Sequence, residues 1–177
     1  MKLILIRHGQ TENNYNEIMQ GQGINDSLND TGIRQAKKLK EKLNKYKIDK
    51  AFTSPMASSW QTAIITVGDK VEIKEDKRLI ERNIGEFEGM NRSFYDHSKY
   101  WDYDLNSNDD GVEPIKNVIN RVKDFYNELL LSDKNETIVV ISHKCVINVL
   151  HNLIKNKDFR KYEDIDASNC TILEYEI

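Results

Sequence analysis

Five short apolar runs, separated by stretches with helical periodicity, constrain the fold of this chain more than any other feature. Each run is rich in Ile, Val, Leu or Phe and too short for a stable helix, so we interpret them as buried strands. The runs cover residues 2–6, 49–53, 71–73, 137–142 and 171–175.

Amphipathic helices are predicted between these strands. Ile33, Ala36, Leu39, Leu43 and Tyr46 recur at helical spacing behind a cap at Asp30 or Thr31, and a second helix follows Pro114 as far as Leu129. Two more helices are predicted at residues 56–67 and 144–154. This alternation predicts an α/β fold, a three-layer sandwich with a mainly parallel central sheet and helices on both faces.

The length and composition narrow the class of protein. The 177 residues fit a single domain spanning 1–177, in which the polar and aromatic segment 78–114 breaks the alternation and is predicted to be a lid or crossover insertion. A net charge of −3 gives no reason to expect nucleic acid or a membrane as a partner. Two widely separated cysteines and the lack of a signal-like segment predict a cytoplasmic protein.

Two histidines follow predicted strands directly. His8 comes after the first run and His143 after the fourth, so neighbouring parallel strands would deliver both imidazoles to one edge of the sheet. Arg7 adds a cation suited to phosphate oxygens, and Gly9 lets a ligand approach the backbone. Either histidine alone would be an ordinary hydrogen-bonding residue, but together they indicate a phosphate site.

Four sequence blocks carry a resemblance to a known family. "RHGQT" at 7–11 resembles the RHGxT signature of the histidine phosphatase superfamily, the phosphoglycerate mutase-like family. The blocks "TSPMASSWQTA" at 53–63, "LIERNIGEFEG" at 79–89 and "VVISHKCVI" at 139–147 look like the family's later blocks in the same order. The resemblance therefore covers most of the chain.

The resemblance implies a role for each catalytic residue. His8 would be the nucleophile that forms a phosphohistidine, with a backbone carbonyl holding its other ring nitrogen, and Glu81 would be the proton donor. Arg7 and His143 would supply positive charge around the transferred phosphoryl group. Asn14 matches a phosphate-contacting position, and we include Gly9 and Thr11 of the first block among the binding residues.

Two departures from the family pattern concern the phosphate site. Ser58 stands where relatives commonly have an arginine, a loss that would cost about 2 to 4 kcal/mol of transition-state stabilisation. Lys144 follows His143 where relatives usually have glycine, and we expect it to replace part of the missing charge. Arg82 is a second candidate for that replacement, although it could equally pair with a carboxylate.

The shortness of the chain favours a phosphatase acting on a small-molecule phosphate ester. A phosphoglycerate mutase and a weakly active or non-catalytic phosphate-binding protein remain the alternatives. In the substrate-facing segment 91–114, Tyr95, Tyr100, Trp101 and Tyr103 are available to stack on an organic group, although such aromatic side chains more often serve packing. The aspartates Asp102, Asp104, Asp109 and Asp110 weakly favour a neutral or cationic leaving group. No metal or cofactor is expected, and the sequence leaves the oligomeric state open.

Overall fold

A five-stranded sheet forms the centre of the molecule. The computed structural model describes residues 1–165 and 167–177. The strands are β1 (Lys2–Arg7), β2 (Lys50–Thr53), β3 (Ile73–Glu75), β4 (Thr137–Ser142) and β5 (Ile172–Glu176), in the order β3-β2-β4-β1-β5. Only β5 is antiparallel to its neighbour. The predicted α/β fold with a mainly parallel sheet is confirmed.

Helices cover both faces of the sheet. They are α1 (Glu12–Tyr15), α2 (Asp30–Leu43), α3 (Ala57–Val67), α4 (His97–Trp101), α5 (Ile115–Leu129) and α6 (Lys144–Ile154). Leu3 and Leu5 of β1 pack with α5 and α6, whereas Ile4 and Ile6 pack with α2 and α3. Successive side chains of one buried strand thus belong to two different apolar cores, as a three-layer arrangement requires. Within the described residues, no helix has the length and apolar character needed to cross a bilayer.

The register between β1 and β4 fixes the position of the two histidines. Arg7 lies opposite Ser142 in this parallel pair, and the His8 amide continues the pairing by donating to the Ser142 carbonyl at 2.9 Å. His8 and His143 therefore leave the sheet side by side. This juxtaposition depends on strand order, which the sequence does not state.

Some predicted boundaries are wrong by a few residues. The third strand begins at Ile73 rather than at Val71, because the Val71 amide still donates to the Val67 carbonyl in the turn that ends α3. Helix α2 has Asn29 as its cap, where the side chain accepts from the Gly32 amide at 2.8 Å. The helix ends at Leu43, so Tyr46 lies in the following turn.

The segment 78–114 lies at the carboxyl edge of the sheet. It folds into α4 and 3₁₀ turns that include Gly85–Phe87, Arg92–Phe94 and Asp109–Gly111. Ile84, Tyr95, Tyr100 and Val112 give it a small apolar cluster of its own. Because the segment has its own core, it supplies a defined wall beside the two histidines.

Candidate active site

A cavity of about 950 Å³ opens at the carboxyl ends of β1 and β4. Most of the residues predicted to form the site line it, namely Arg7, His8, Asn14, Ser58, Glu81, Arg82, His143 and Lys144. The segment 78–114 contributes one wall and the chain just before β5 contributes another. The sequence blocks therefore converge on one space.

The orientation of His8 is set by its neighbour. The ring is buried, and its Nδ1 lies 2.7 Å from the Gly9 carbonyl oxygen. Because a carbonyl only accepts hydrogen bonds, Nδ1 carries the proton and Nε2 keeps its lone pair. Burial, reinforced by the charge of Arg7, lowers the pKa of His8 to about 3. The imidazole is thus neutral and nucleophilic near pH 7.

His143 faces His8 across the floor of the cavity. The two ring centroids are 5.0 Å apart, with an interplanar angle of 58°. Its Nε2 lies 2.8 Å from the Ser54 hydroxyl and 3.2 Å from the Ser59 hydroxyl. Burial lowers the pKa of His143 well below its usual value, with smaller contributions from His8 and Arg7. An arriving phosphate dianion would oppose that shift, because a nearby negative charge favours the protonated ring.

Glu81 and Arg7 both line the cavity and are each held by hydrogen bonds to the backbone. One Glu81 oxygen accepts from the Arg82 amide at 2.8 Å, and the other faces the Cys145 amide at 3.5 Å. Desolvation raises the pKa of Glu81 despite these bonds and the charge of Arg7. The Arg7 guanidinium donates to the Ala167 carbonyl at 2.8 Å, which holds it at the cavity wall. A carboxyl with a raised pKa suits proton donation, and a fixed cation suits anion binding.

Two residues of the first block do not reach the cavity. A Cβ on Gly9 would lie 2.8 Å from the Gly32 carbonyl oxygen, so this glycine permits close packing against α2 rather than the approach of a ligand. Thr11 caps α1 by accepting from the Asn14 amide at 3.1 Å and is fully buried. The structure thus gives both residues supporting positions in place of the expected phosphate contacts.

Asn14 lines the cavity within a network of side-chain amides. Its Nδ2 donates to Gln20 Oε1 at 3.1 Å, and its Oδ1 accepts from Asn169 Nδ2 at 3.2 Å. One Nδ2 hydrogen remains for a phosphate oxygen. Asn169 also donates to the His8 carbonyl at 2.9 Å. The network therefore ties the end of β1 to the segment before β5.

Ser58 and Lys144 show how the phosphate end differs from the family pattern. Ser58 is 5% exposed and sits in the first turn of α3 at the cavity wall. Lys144 also lines the cavity, but its Nζ lies 3.4 Å from an Asp164 carboxylate oxygen. The lysine thus brings a cation to the site that is already partly neutralised.

Arg82 is 2% exposed and does not pair with a carboxylate of the described residues. Its Nε donates to the Glu113 carbonyl at 2.7 Å, and its Nη2 donates to the Tyr100 carbonyl at 2.8 Å. These bonds fix the arginine in the wall formed by segment 78–114. The carboxylate pairing that the sequence left open is therefore absent from the described part of the chain.

Several residues of the site were missed from the sequence. Ser54 and Ser59 reach His143, while Asn169 and Tyr162 come from the segment before β5. The two serines lie inside the second sequence block, so their position in that block could have been used to predict them as site residues. Asn169 and Tyr162 carry no such signal, because only the folded chain brings them beside His8 and Trp101.

The fold and the paired histidines at the strand ends are those expected of a histidine phosphatase. A family model for the histidine phosphatase superfamily (branch 1) matches residues 3–177, and the chain belongs to that superfamily. Phosphoserine phosphatase 1 of Hydrogenobacter thermophilus is 28% identical, over 97% of this chain and 84% of the relative. A probable phosphatase of Schizosaccharomyces pombe is 33% identical, over all of this chain and 87% of the relative.

A solved structure shares the fold. A mycobacterial glucosyl-3-phosphoglycerate phosphatase superposes with a TM-score of 0.86 at 22% identity, covering 98% of this chain and 91% of that one. At 22% sequence identity, this structural similarity supports a shared fold and says nothing about the substrate. Because the match extends over nearly the full length of both chains, the segment 78–114 lies within the shared architecture.

Proposed function

We propose that this protein is a phosphatase that hydrolyses a small-molecule phosphate monoester through a phosphohistidine on His8. One observation carries the proposal. The hydrogen bond from His8 Nδ1 to the Gly9 carbonyl leaves the Nε2 lone pair available on a neutral, buried ring beside a second histidine. The phosphatases among the relatives support hydrolysis over the mutase alternative.

The first step transfers the phosphoryl group to the protein. Nε2 of His8 attacks phosphorus while the ester P–O bond breaks, and Glu81 gives its proton to the leaving oxygen. Arg7 and His143 stabilise the equatorial oxygens, and the amide of Asn14 donates a further hydrogen bond. The raised pKa of Glu81 suits this role, because the carboxyl must hold a proton near neutral pH.

The second step returns the protein to its starting state. The Glu81 carboxylate takes a proton from water, the water oxygen attacks phosphorus, and the P–N bond to His8 breaks. Inorganic phosphate leaves and Glu81 is protonated again. No group outside the described side chains and water is needed to balance either step.

Trapping the intermediate tests the proposal. Wild-type protein mixed with a phosphate ester and quenched within milliseconds should carry acid-labile, base-stable phosphate, whereas His8→Ala should carry none and lose turnover. His97→Ala is a matched control, because His97 also lines the cavity but is itself an exposed residue of segment 78–114. Labelling that survives His8→Ala would contradict the proposal.

Product analysis separates the alternatives. A phosphatase releases one inorganic phosphate for each ester consumed, whereas a mutase returns the phosphate to another hydroxyl and releases little. A binding protein would show saturable ester binding without either product. The size of the cavity is compatible with a small-molecule substrate. The cytoplasmic location and the absence of nucleic-acid partners remain predictions from the sequence.

A further inference from the structure

We propose that Arg121 of α5 is the positioning residue of the proton donor, because its guanidinium holds the backbone of Glu81, 40 positions earlier in the chain. The inference rests on the proposed function, in which Glu81 protonates the leaving oxygen. It deepens that function by naming a residue that lies outside the four sequence blocks and does not line the cavity. Three observations lead to it.

The first observation is the set of oxygens to which the Arg121 guanidinium donates. Its Nη1 donates to the Arg78 and Ile80 carbonyls, each at 2.7 Å, and its Nη2 donates to the Glu81 carbonyl at 3.3 Å. A guanidinium presents its donors in a rigid plane, and its charge strengthens each hydrogen bond. One side chain therefore fixes the stretch of backbone that leads into the proton donor.

The second observation is that the same guanidinium closes the base of segment 78–114. Its Nε lies 2.9 Å from one Glu113 carboxylate oxygen, and its Nη2 lies 3.1 Å from the other. Glu113 is in turn paired with Asn83, whose carbonyl accepts from the Glu113 amide at 2.9 Å. The Arg121 and Glu113 side chains are only 18% and 16% exposed. Arg121 thus joins the start and the end of the segment that carries Glu81.

The third observation is a second donor on the Glu81 carbonyl. Gln22 Nε2 donates to this oxygen at 2.7 Å. A carbonyl oxygen has two lone pairs, so Arg121 and Gln22 together satisfy it. The Glu81 backbone therefore has one charged and one neutral support, and each can be removed without the other.

The Glu81 carboxyl depends on this backbone for its direction. The shorter of its two hydrogen bonds, at 2.8 Å, comes from the amide of the adjacent Arg82, whereas the Cys145 amide lies 3.5 Å from the other oxygen. A displacement of about 1 Å at a catalytic group can cost about 10²-fold in rate. Holding the backbone at residue 81 therefore bears directly on proton donation.

The charge of Arg121 supplies an independent readout. Burial raises the pKa of Glu81, and the positive charges of Arg7 and Arg121 oppose that rise. Removing the charge of Arg121 should raise this pKa further, and the Glu113 carboxylate left without its partner acts in the same direction. The charge of Arg82 is unchanged by this substitution. Three groups that interact with Glu81 stay neutral because burial raises their own pKa values, namely Cys145, Tyr95 and Tyr162.

A double-mutant cycle between Arg121 and Glu81 tests the inference. In Arg121→Met, kcat/KM for an alkyl phosphate should fall about tenfold to a hundredfold, mainly through kcat, while p-nitrophenyl phosphate should change by no more than about threefold. In a Glu81→Gln background the same substitution should cost less than about twofold, since no proton donor remains to be positioned. Equal losses in both backgrounds would overturn the inference.

Two further variants separate position from charge. Arg121→Lys keeps the charge but lacks the planar fork, so kcat/KM should fall while the alkaline limb of alkyl-ester activity stays near its wild-type pH. Arg121→Met should move that limb to higher pH, and a limb that does not move would count against the inference. Lys123→Met is the matched control, because Lys123 is an exposed cation of the same helix. A loss of rate in Lys123→Met equal to that in Arg121→Met would show a general effect of charge and would overturn the inference.

The neutral support keeps the test decisive if Arg121→Met does not fold. Gln22→Leu removes the other donor to the Glu81 carbonyl without changing any charge, and its loss of about twofold to fivefold on the alkyl ester should disappear in Glu81→Gln. A loss that persists there would overturn the inference. Wild-type protein that forms no phosphohistidine would overturn the proposed function and this inference with it, whereas phosphohistidine formation with additive losses would overturn the inference alone.

Discussion

The imidazole rings of His8 and His143 face each other with centroids 5.0 Å apart, because the two strands that precede them are paired in register. Both rings are neutral at rest, since burial lowers both pKa values. His8 can therefore attack without first losing a proton. A phosphoryl group between the rings favours protonation of His143, so positive charge develops where the transition state needs it.

Replacing Glu81 by glutamine should affect esters with poor leaving groups most. Without a proton donor, kcat/KM for an alkyl phosphate should fall about 10²-fold to 10³-fold, while p-nitrophenyl phosphate, whose leaving oxygen needs no proton, should change much less. In the wild type, activity toward the alkyl ester should decline as rising pH ionises Glu81. That decline should begin above the usual carboxyl range, because the pKa of Glu81 is raised.

Glu86 provides the matched control for this experiment. It is an exposed glutamate of the same block and does not line the cavity. Glu86→Gln should leave both rates and the alkaline limb unchanged. An equal loss on both esters in Glu81→Gln would argue against proton donation.

Acid should destabilise the fold through His8. Its pKa is about 3 in the folded protein and 6.5 in an unfolded chain, so only the unfolded chain takes up this proton between those values. The free energy of unfolding therefore falls as pH drops below 6.5, whereas His8 has no such effect above that pH. Denaturant unfolding across pH 4 to 6.5 should show a slope smaller by up to about 1.4 kcal/mol per pH unit in His8→Gln. Identical slopes would mean that His8 is protonated in the native state.

Lys144 and its partner Asp164 should shift activity in opposite directions. Removing the cation in Lys144→Ala should lower kcat/KM about threefold to tenfold, and removing its counter-charge in Asp164→Asn should raise it. Initial rates with one phosphate ester measure both. An unchanged rate in Lys144→Ala would contradict the hypothesis that this lysine replaces the missing arginine.

Restoring the missing arginine in Ser58→Arg should raise activity, with Ser58→Gln as the neutral control.

Asn169 should prove to be a positioning residue for His8 and Asn14. Asn169→Ala removes hydrogen bonds to the His8 carbonyl and to Asn14 Oδ1, so kcat/KM should fall about threefold to tenfold. Asn169→Asp should be worse, since a carboxylate cannot donate and repels phosphate. The neighbouring Ser168→Ala is the control, because Ser168 is exposed at the cavity rim. Full activity in Asn169→Ala would show that the amide network holds without it.

The fold was predictable where the signal is local. Helix α6 spans residues 144–154 as its periodicity predicts, and β4 matches its apolar run. The boundaries of the elements were less predictable. The sequence around Val71 predicts a strand, but the Val71 amide donates to the carbonyl of Val67 at the end of α3. That choice depends on competition between a helix turn and a three-residue edge strand.

The candidate site was predictable where strand ends supply it. His8 and His143 follow directly from two buried runs, and Glu81 from a sequence block. Thr11 looked like a phosphate contact because it belongs to the first block, but it serves as a helix cap. The place of Tyr162 and Asn169 in the site could not be predicted from the sequence, because they come near it only when the chain returns to pair with β1.

That return sets the timing of assembly during synthesis. The Cys170 amide donates to the Arg7 carbonyl at 3.0 Å, and Ala167 and Asn169 hold Arg7 and His8 from the same stretch. Arg7 and His8 therefore wait for a stretch of chain that is translated about 160 positions later. A nascent chain arrested before residue 167 would already contain both histidines and Glu81, yet its phosphate pocket would lack one side.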